Sequence, residues 1–364
     1  MQTTIYDARS LPTVLSDWRS LEARAQTSVL PAGLLDGPLD AEGVFVVGAW
    51  TADRLMGLWP LRVRRRGPLR VAMRAGRELQ TYDGALFDPD ADRAAVAAAL
   101  WSAVKRRCPA DVLMLRALQD ASPLRQLPAV AAVAEVSLET WWLETGALSS
   151  PESVISRLSK SRRKSSRRNR RGLEAIGEVV FSRLRGSSER GAAIRSALSL
   201  KAAWLDEQQL HSFAVHAPWF QRALAAAAAE PAMLEQLEVF ALSVGGEDVA
   251  FEFGFRDRTT YRSFMGAYSP AWAAHGVGAE LTAQVLQWCV SAGIARCDLL
   301  PPSSDFKAGW CDHSAPVWSA SLALSVWGRA ALPLTEMPRR LKPLYLRLPT
   351  PTRDRLNVLL RGIG

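Results

Sequence analysis

Two spacings of apolar residues alternate along the chain. Residues 44–50 (VFVVGAW) and 55–63 (LMGLWPLRV) flank the polar turn TADR, which predicts a pair of strands. Residues 239–268 read VFALSV, GGED, VAFEFGF, RDRT, TYRSFMGAY, which predicts a three-stranded meander. After each meander comes a helical pattern, ADRAAVAAALWSAVKRR (91–107) and GAELTAQVLQWCVSAG (278–293). After each helix comes a short strand opening on aspartate, DVLMLRAL (111–118) and DLL (298–300). With Val44 set on Val239, Asp53 falls on Asp248. Meander, helix and strand in the same order twice predict a duplicated α/β unit. VWSASLALSVW (317–327) alternates with a period of two and is expected to form a strand. No run reaches the roughly 18 apolar residues of a membrane span.

The pattern is interrupted at TGALSSPES (145–153), where a helix is expected to open with Ser150 as N-cap and Pro151 at its first position, and to end in a left-handed cap at Gly177. This division places one domain at 1–148 and a second at 149–330, followed by a basic extension, 331–364. Inside the helix lies RLSKSRRKSSRRNRRG (157–172). At about 100° per residue, all its basic residues but Arg162 fall on an arc of about 160°. The opposite face carries Val154, Ile155, Leu158, Asn169, Leu173 and Ile176. A disordered arm has no reason to segregate its charges, so a docked helix is expected. Its cationic stripe reads as a solvated face or as a site for phosphate groups. No aromatic residues interleave with the arginines, which argues against nucleic acid.

The nine Lys/Arg of 157–171 equal the whole formal net charge of +9, so the basicity is local. A length of 364 residues fits two domains, and 48% hydrophobic content allows a substantial core. The start MQTTIYDARS has no leader pattern. Cys108, Cys289, Cys297 and Cys311 fit neither a disulfide framework nor a metal spacing, and a cytoplasmic setting is expected.

Candidate chemistry concentrates in the second half. After the strand ending at Tyr268, a loop with His275, Gly276, Val277 and Gly278 leads into a helix. Backbone N–H groups at such a turn can cradle a phosphate, and a plain structural turn needs the same glycines. ARCDLLPPSSDFKAGW (295–310) offers Asp298, at the strand start, as an orienting group or base, and Lys307 as a partner for negative charge or phosphate. Either residue also reads as half of a surface salt bridge. Glu252, in VAFEFGF, is a carboxylate among apolar neighbours, so it is either ion-paired or working. His211 and His216, five apart, do not share a helix face, and Cys311 and His313 lack further ligands, so no metal is expected.

The order YSP, G, L, helix, AG, CDLL, FK, W resembles the GNAT-like acyltransferases of the CelD/BcsL group, including HfsK-type polysaccharide N-acetyltransferases. More distantly it is similar to the FemAB/FemX peptidyltransferases. SRLSKSRRKSSRRNRRGLEAIGEVVF, LKAAWLDEQQ (200–209) and LQTYDGALFD (79–88) share in the resemblance, which covers roughly residues 20–330 and is strongest over 155–315. It implies an α/β fold of two tandem GNAT-like domains, each a mixed, mostly antiparallel twisted sheet flanked by helices. It also implies N-acyl transfer, with acetyl-CoA as donor and an amino-sugar nucleotide or polyprenyl-linked sugar of exopolysaccharide synthesis as acceptor. On that resemblance Gly276, Gly278, His275 and Val277 would hold the donor, and Lys201, Trp204, Phe306 and Trp310 would lie at the acceptor. From the charge pattern, Arg163 and Arg167 would face phosphates. Candidate bases are Asp298, Glu252 and His275, and the candidate acid is Tyr268. Two positions depart from the family: Ala273 stands where Arg or Gln is usual, and Phe306 precedes Lys307 in place of Tyr. The rival readings are an aminoacyl-tRNA-dependent transferase and a non-catalytic nucleic-acid or cyclic-nucleotide binding module. The basic C-terminal segment reads either as a contact with an anionic membrane surface at the inner face or as a cover over the second domain.

Overall fold

A computed structural model describes residues 1–25, 30–35, 39, 41–208, 212 and 214–333. His211 and most of the basic extension, from 334 on, lie outside the described residues. The described strands are β1 (Gln2–Asp7), β2 (Val44–Thr51), β3 (Arg54–Arg66), β4 (Leu69–Arg74), β5 (Leu86–Phe87), β6 (Val112–Gln119), β7 (Glu135–Leu143), β8 (Val179–Arg183), β9 (Leu237–Val244), β10 (Glu247–Arg256), β11 (Thr260–Tyr268), β12 (Arg296–Asp298) and β13 (His313–Ala323). They form one sheet in the order β1-β2-β3-β4-β6-β13-β7-β12-β11-β10-β9-β8, with β5 paired to β3. Only β4–β6 and β11–β12 pair in parallel among these strands, so the sheet is mostly antiparallel.

The order is symmetric about its centre. If β1 corresponds to β8, β2 to β9, β3 to β10, β4 to β11, β6 to β12 and β7 to β13, each half repeats the other. The last strand of each half crosses over: β13 pairs with β6, β7 pairs with β12, and the two lie side by side. The sheet is therefore continuous across the division at 148/149.

Period-two alternation sets the layers. On β9, Val239 and Ala241 join an apolar cluster with Ile194 and Leu198 of the helix Ser187–Glu207. On the same strand, Phe240 and Leu242 face the other way, onto Leu281 and Leu286 of the helix Val277–Ser291. In the first half, Phe45 and Val47 pack under Val96 and Leu100 of the helix Arg93–Arg107, with Asp92 as its N-cap. No helix among the described residues is long and apolar enough to cross a membrane.

Three expected elements change. The helix opening at Ser150 is two helices, Ser153–Ser156 and Lys160–Glu174. Ser159 caps the second through the Arg162 amide, because a serine hydroxyl competes well for a first-turn N–H. Gly177 does not take a left-handed cap; it is small because the backbone of Gly245 occupies the space a Cβ would need. The strand expected at 317–327 runs from His313 to Ala323 and ends before Ser325, whose hydroxyl bonds Asp111 at 2.9 Å.

Candidate active site at a strand splay

β11 and β12 pair for three residues, Thr260–Arg262 against Arg296–Asp298, and then part. Asp298 is the last residue of β12 and not the first of a strand, a correction to the expected DLL strand. Its Oδ1 accepts the Leu300 N–H at 2.8 Å, and Leu300 takes a φ of 57°, which turns the chain out of the sheet. β11 continues alone on that edge. On its other edge the ladder with β10 places Met265 opposite Phe253 and Ser263 opposite Gly254, so Phe264 forms a bulge. A cavity of about 500 Å³ opens at this splay, walled by Ser263–Gly266, Glu252, Lys201, Phe306 and Lys307.

The matching splay in the first half is closed. β4 and β6 pair only through Val71–Val112 and Ala72–Leu113. The gap beyond them is filled by the segment around Asp83, whose N–H donates to Ala117 O at 2.9 Å and whose Oδ2 accepts the Arg116 and Ala117 amides. The preceding residues of this plug, Gln80 and Thr81, with Arg74 of β4, form the far wall of the second-half cavity. Thus the cavity is built by both halves.

Glu252 is 4% exposed and accepts a hydrogen bond from Tyr261 Oη at 3.1 Å. It has no ion-pair partner among the described residues. Burial, only partly offset by hydrogen bonds from Ser263 and Tyr261, pushes its carboxyl up to about 7. Burial likewise pushes the Lys201 and Lys307 ammonium groups down, and Lys201 adds to the effect on Lys307. Lys201 Nζ sits 4.0 Å over the Trp204 ring. Lys307 Nζ donates to Leu300 O at 2.6 Å and Pro302 O at 2.9 Å.

A relay runs from the first half to Lys307. Tyr82 Oη and Thr140 Oγ1 each donate to Asp298, both at 2.8 Å. Asp298 holds the Leu300 amide, and the Leu300 carbonyl holds Lys307. Burial and the neighbouring Asp298 carboxylate push the Tyr82 phenol up, which keeps it a donor.

The structure brings Glu252, Lys201, Lys307 and Phe306 together at one cavity. Asp298 is buried and accepts hydrogen bonds from three donors, Tyr82, Thr140 and the Leu300 amide. Trp310 is core, packed edge-on to Phe306. Arg163 caps the break before its helix, donating to Ser156 O and Leu158 O, and does not line the cavity. Arg167 lies on an outer groove beside Arg170. None of residues 275–278 lines the cavity. Val277 is fully buried, and the space beside Gly276 and Gly278 is taken by the Asn169 side chain and the Tyr268 ring. Tyr268 itself lies just past the cavity-lining part of β11, and Trp204 touches the site through Lys201. The helix 277–291 reaches the cavity one turn on, at Thr282. Sequence reasoning missed Arg74, Gln80 and Thr81. Gln80 and Thr81 lie within LQTYDGALFD (79–88), the available signal, and Arg74 lies outside it.

Gly276 has a φ of 70° as well as a crowded flank. Gly276→Ala is expected to cost about 2 kcal/mol, from the left-handed backbone and displacement of Asn169. Thermal unfolding checks this, and an unchanged midpoint would contradict the packing described.

Residues 160–308 match the family model described as "Acetyltransferase (GNAT) domain". That stretch of the chain is therefore similar to GNAT acetyltransferase domains. Similar solved structures include FemX (TM-score 0.62, 8% identity, covering 88% of this chain and 98% of that one). A second is the C-terminal domain of a putative lysylphosphatidylglycerol synthetase from Agrobacterium fabrum (TM-score 0.57, 14% identity, 90% and 97% covered). A third is a tandem GNAT protein from the clavulanic acid biosynthesis pathway (TM-score 0.51, 13% identity, 89% and 98% covered). No curated protein sequence matches the chain. The fold is thus that of tandem GNAT-like proteins, with two half-units sharing one sheet.

Proposed function

We propose that the second half, 149–330, transfers an acyl group, acetyl in the simplest case, from a coenzyme A thioester to an amine held in the splay cavity, and that 1–148 supplies the acceptor-facing wall. The observation that carries this reading is Glu252, a buried carboxyl without a cationic partner among the described residues, poised near neutrality on the cavity wall. The amine nitrogen attacks the thioester carbonyl carbon. A C–N bond forms, the C–S bond breaks, Glu252 takes the proton the nitrogen loses, and the sulfur leaves as thiolate and is reprotonated from solvent. The unpaired edge of β11 and its bulge at Phe264 supply backbone N–H groups for the developing oxyanion. Lys201, Lys307 and Arg74 outnumber Glu78 and Glu252 on the cavity wall, which suits a phosphate-bearing acceptor such as an amino-sugar nucleotide or a polyprenyl-linked amino sugar.

The test is thiol release from acetyl-CoA across a panel of amino-sugar nucleotides, beside calorimetry with acetyl-CoA alone. Saturable binding and acceptor-dependent release are expected. No heat at millimolar acetyl-CoA together with no release would overturn the reading. A second reading, transfer from an aminoacyl-tRNA ester, is favoured by one observation: the glycine turn, packed under Asn169, does not line the cavity. Turnover with charged tRNA and none with acetyl-CoA would select it.

A further inference from the structure

Behind the splay lies a second cavity, of about 290 Å³. Successive residues of a strand take opposite faces of the sheet. Tyr261 of β11 and Cys297 of β12 pack toward the helix Val277–Ser291. Their neighbours Arg262 and Asp298 therefore turn to the other face, where they line this cavity. The first half supplies the rest of the charged wall: Asp83 of the plug, Asp120 after β6, and Arg93 at the start of the helix Arg93–Arg107. None of these five residues lines the splay cavity.

Most charged atoms on this wall are already engaged. Asp298 accepts from Tyr82, Thr140 and the Leu300 amide. Arg262 Nη1 pairs with Asp257 at 2.7 Å, and Asp120 Oδ1 accepts the Trp318 indole N–H at 2.7 Å. Asp83 Oδ2 accepts the Arg116 and Ala117 amides. What is left over has both signs. Arg262 Nε and Asp83 Oδ1 are buried and make no hydrogen bond. Arg74 Nε approaches that Asp83 oxygen only to 4.0 Å. The Arg93 guanidinium is exposed, with no partner among the described residues. A buried polar atom left unpaired costs free energy, and more so on a charged group. A simple anion answers the arginines and is repelled by Asp83; a simple cation does the reverse. A molecule carrying both charges answers both. The volume restricts it to the size of a small metabolite.

We propose that this cavity is a second binding site, for a small zwitterion whose ammonium lies toward Asp83 and whose anionic group lies toward Arg262 and Arg93. A free amino acid and an amino-sugar phosphate share this chemistry. The proposal does not depend on whether the splay cavity transfers an acyl group. Calorimetry on the full chain tests it with two matched pairs, alanine against lactate and glucosamine 6-phosphate against glucose 6-phosphate. In each pair a hydroxyl replaces the ammonium. One zwitterion is expected to bind saturably and about tenfold or more tighter than its match, and the pair in which this happens identifies the source. Arg93→Gln, at an exposed position, should weaken that binding about tenfold. Asp83→Asn should abolish the preference for the ammonium over the hydroxyl. Lys201→Gln, in the splay cavity, should bind as the wild-type chain does. Circular dichroism establishes that each variant is folded; if Asp83→Asn is not, the matched pairs and Arg93→Gln decide. No saturable binding of either zwitterion at about 10 mM, or equal binding within both pairs, would overturn the proposal. So would binding lost in Lys201→Gln and kept in Arg93→Gln.

Discussion

Glu252→Gln is expected to lower kcat for acyl transfer by about 10²–10⁴-fold while making the protein more stable above neutral pH. Both effects come from the same burial. The wild-type carboxyl ionises at about 7 in the fold against an ordinary value of 4.5. A carboxyl whose folded value is raised favours the fold fully below its unfolded value and loses that advantage as pH rises through the folded one. The wild-type protein should therefore lose roughly 3 kcal/mol between about pH 4.5 and pH 7.5 from this residue, and the Gln variant should not. The ascending limb of kcat/KM against pH should have its midpoint near 7 in the wild-type enzyme, where Glu252 becomes available as a base. Urea unfolding at about pH 5 and about pH 8, with the pH–rate profile, measures both sides. A variant with full activity, or one no more resistant to urea at the higher pH, would remove Glu252 from the mechanism.

Asp298→Ala is expected to cost about 3–5 kcal/mol in urea unfolding, the second large effect. Three donors lose their acceptor at once: Tyr82 Oη, Thr140 Oγ1 and the Leu300 amide. Two of these come from the first half, so the contact between halves is loosened. Because Leu300 O is also a support of Lys307, the surviving folded enzyme should show a raised KM for an anionic acceptor. Tyr82→Phe removes one donor and leaves the carboxylate intact. It should cost about 1 kcal/mol, with a smaller change in KM. If Asp298→Ala unfolds like the wild-type chain, the relay is not holding the loop.

The duplicated unit is legible in the chain itself, because alternation and helix spacing are local signals. Val44 and Val239 do fall on equivalent strands, β2 and β9. The exchange of β7 and β13 is not legible there, since a period of two says which face a residue takes and not which strand lies beside it. For the same reason Arg74, Gln80 and Thr81 stayed hidden: they reach the cavity through tertiary packing of the plug. Glu252 was visible as a carboxylate where apolar residues belong. An anion cradle and a crowded turn look identical in sequence, so the packing of Asn169 beside Gly276 is not legible there. The charge stripe presumes one straight helix. The break at Ser159 removed Arg157 from it and left Arg163 as a backbone cap.

Glu252 is a buried carboxyl, with no cationic partner among the described residues, that changes charge near neutrality on the wall of a cavity built by both halves. Carbon-13 NMR of the glutamate side-chain carboxyls, with Glu252 assigned by its loss in the Gln variant, tests it directly. The expected result is a single titration with its midpoint at about 7. A midpoint at the ordinary glutamate value of 4.5 would contradict the account.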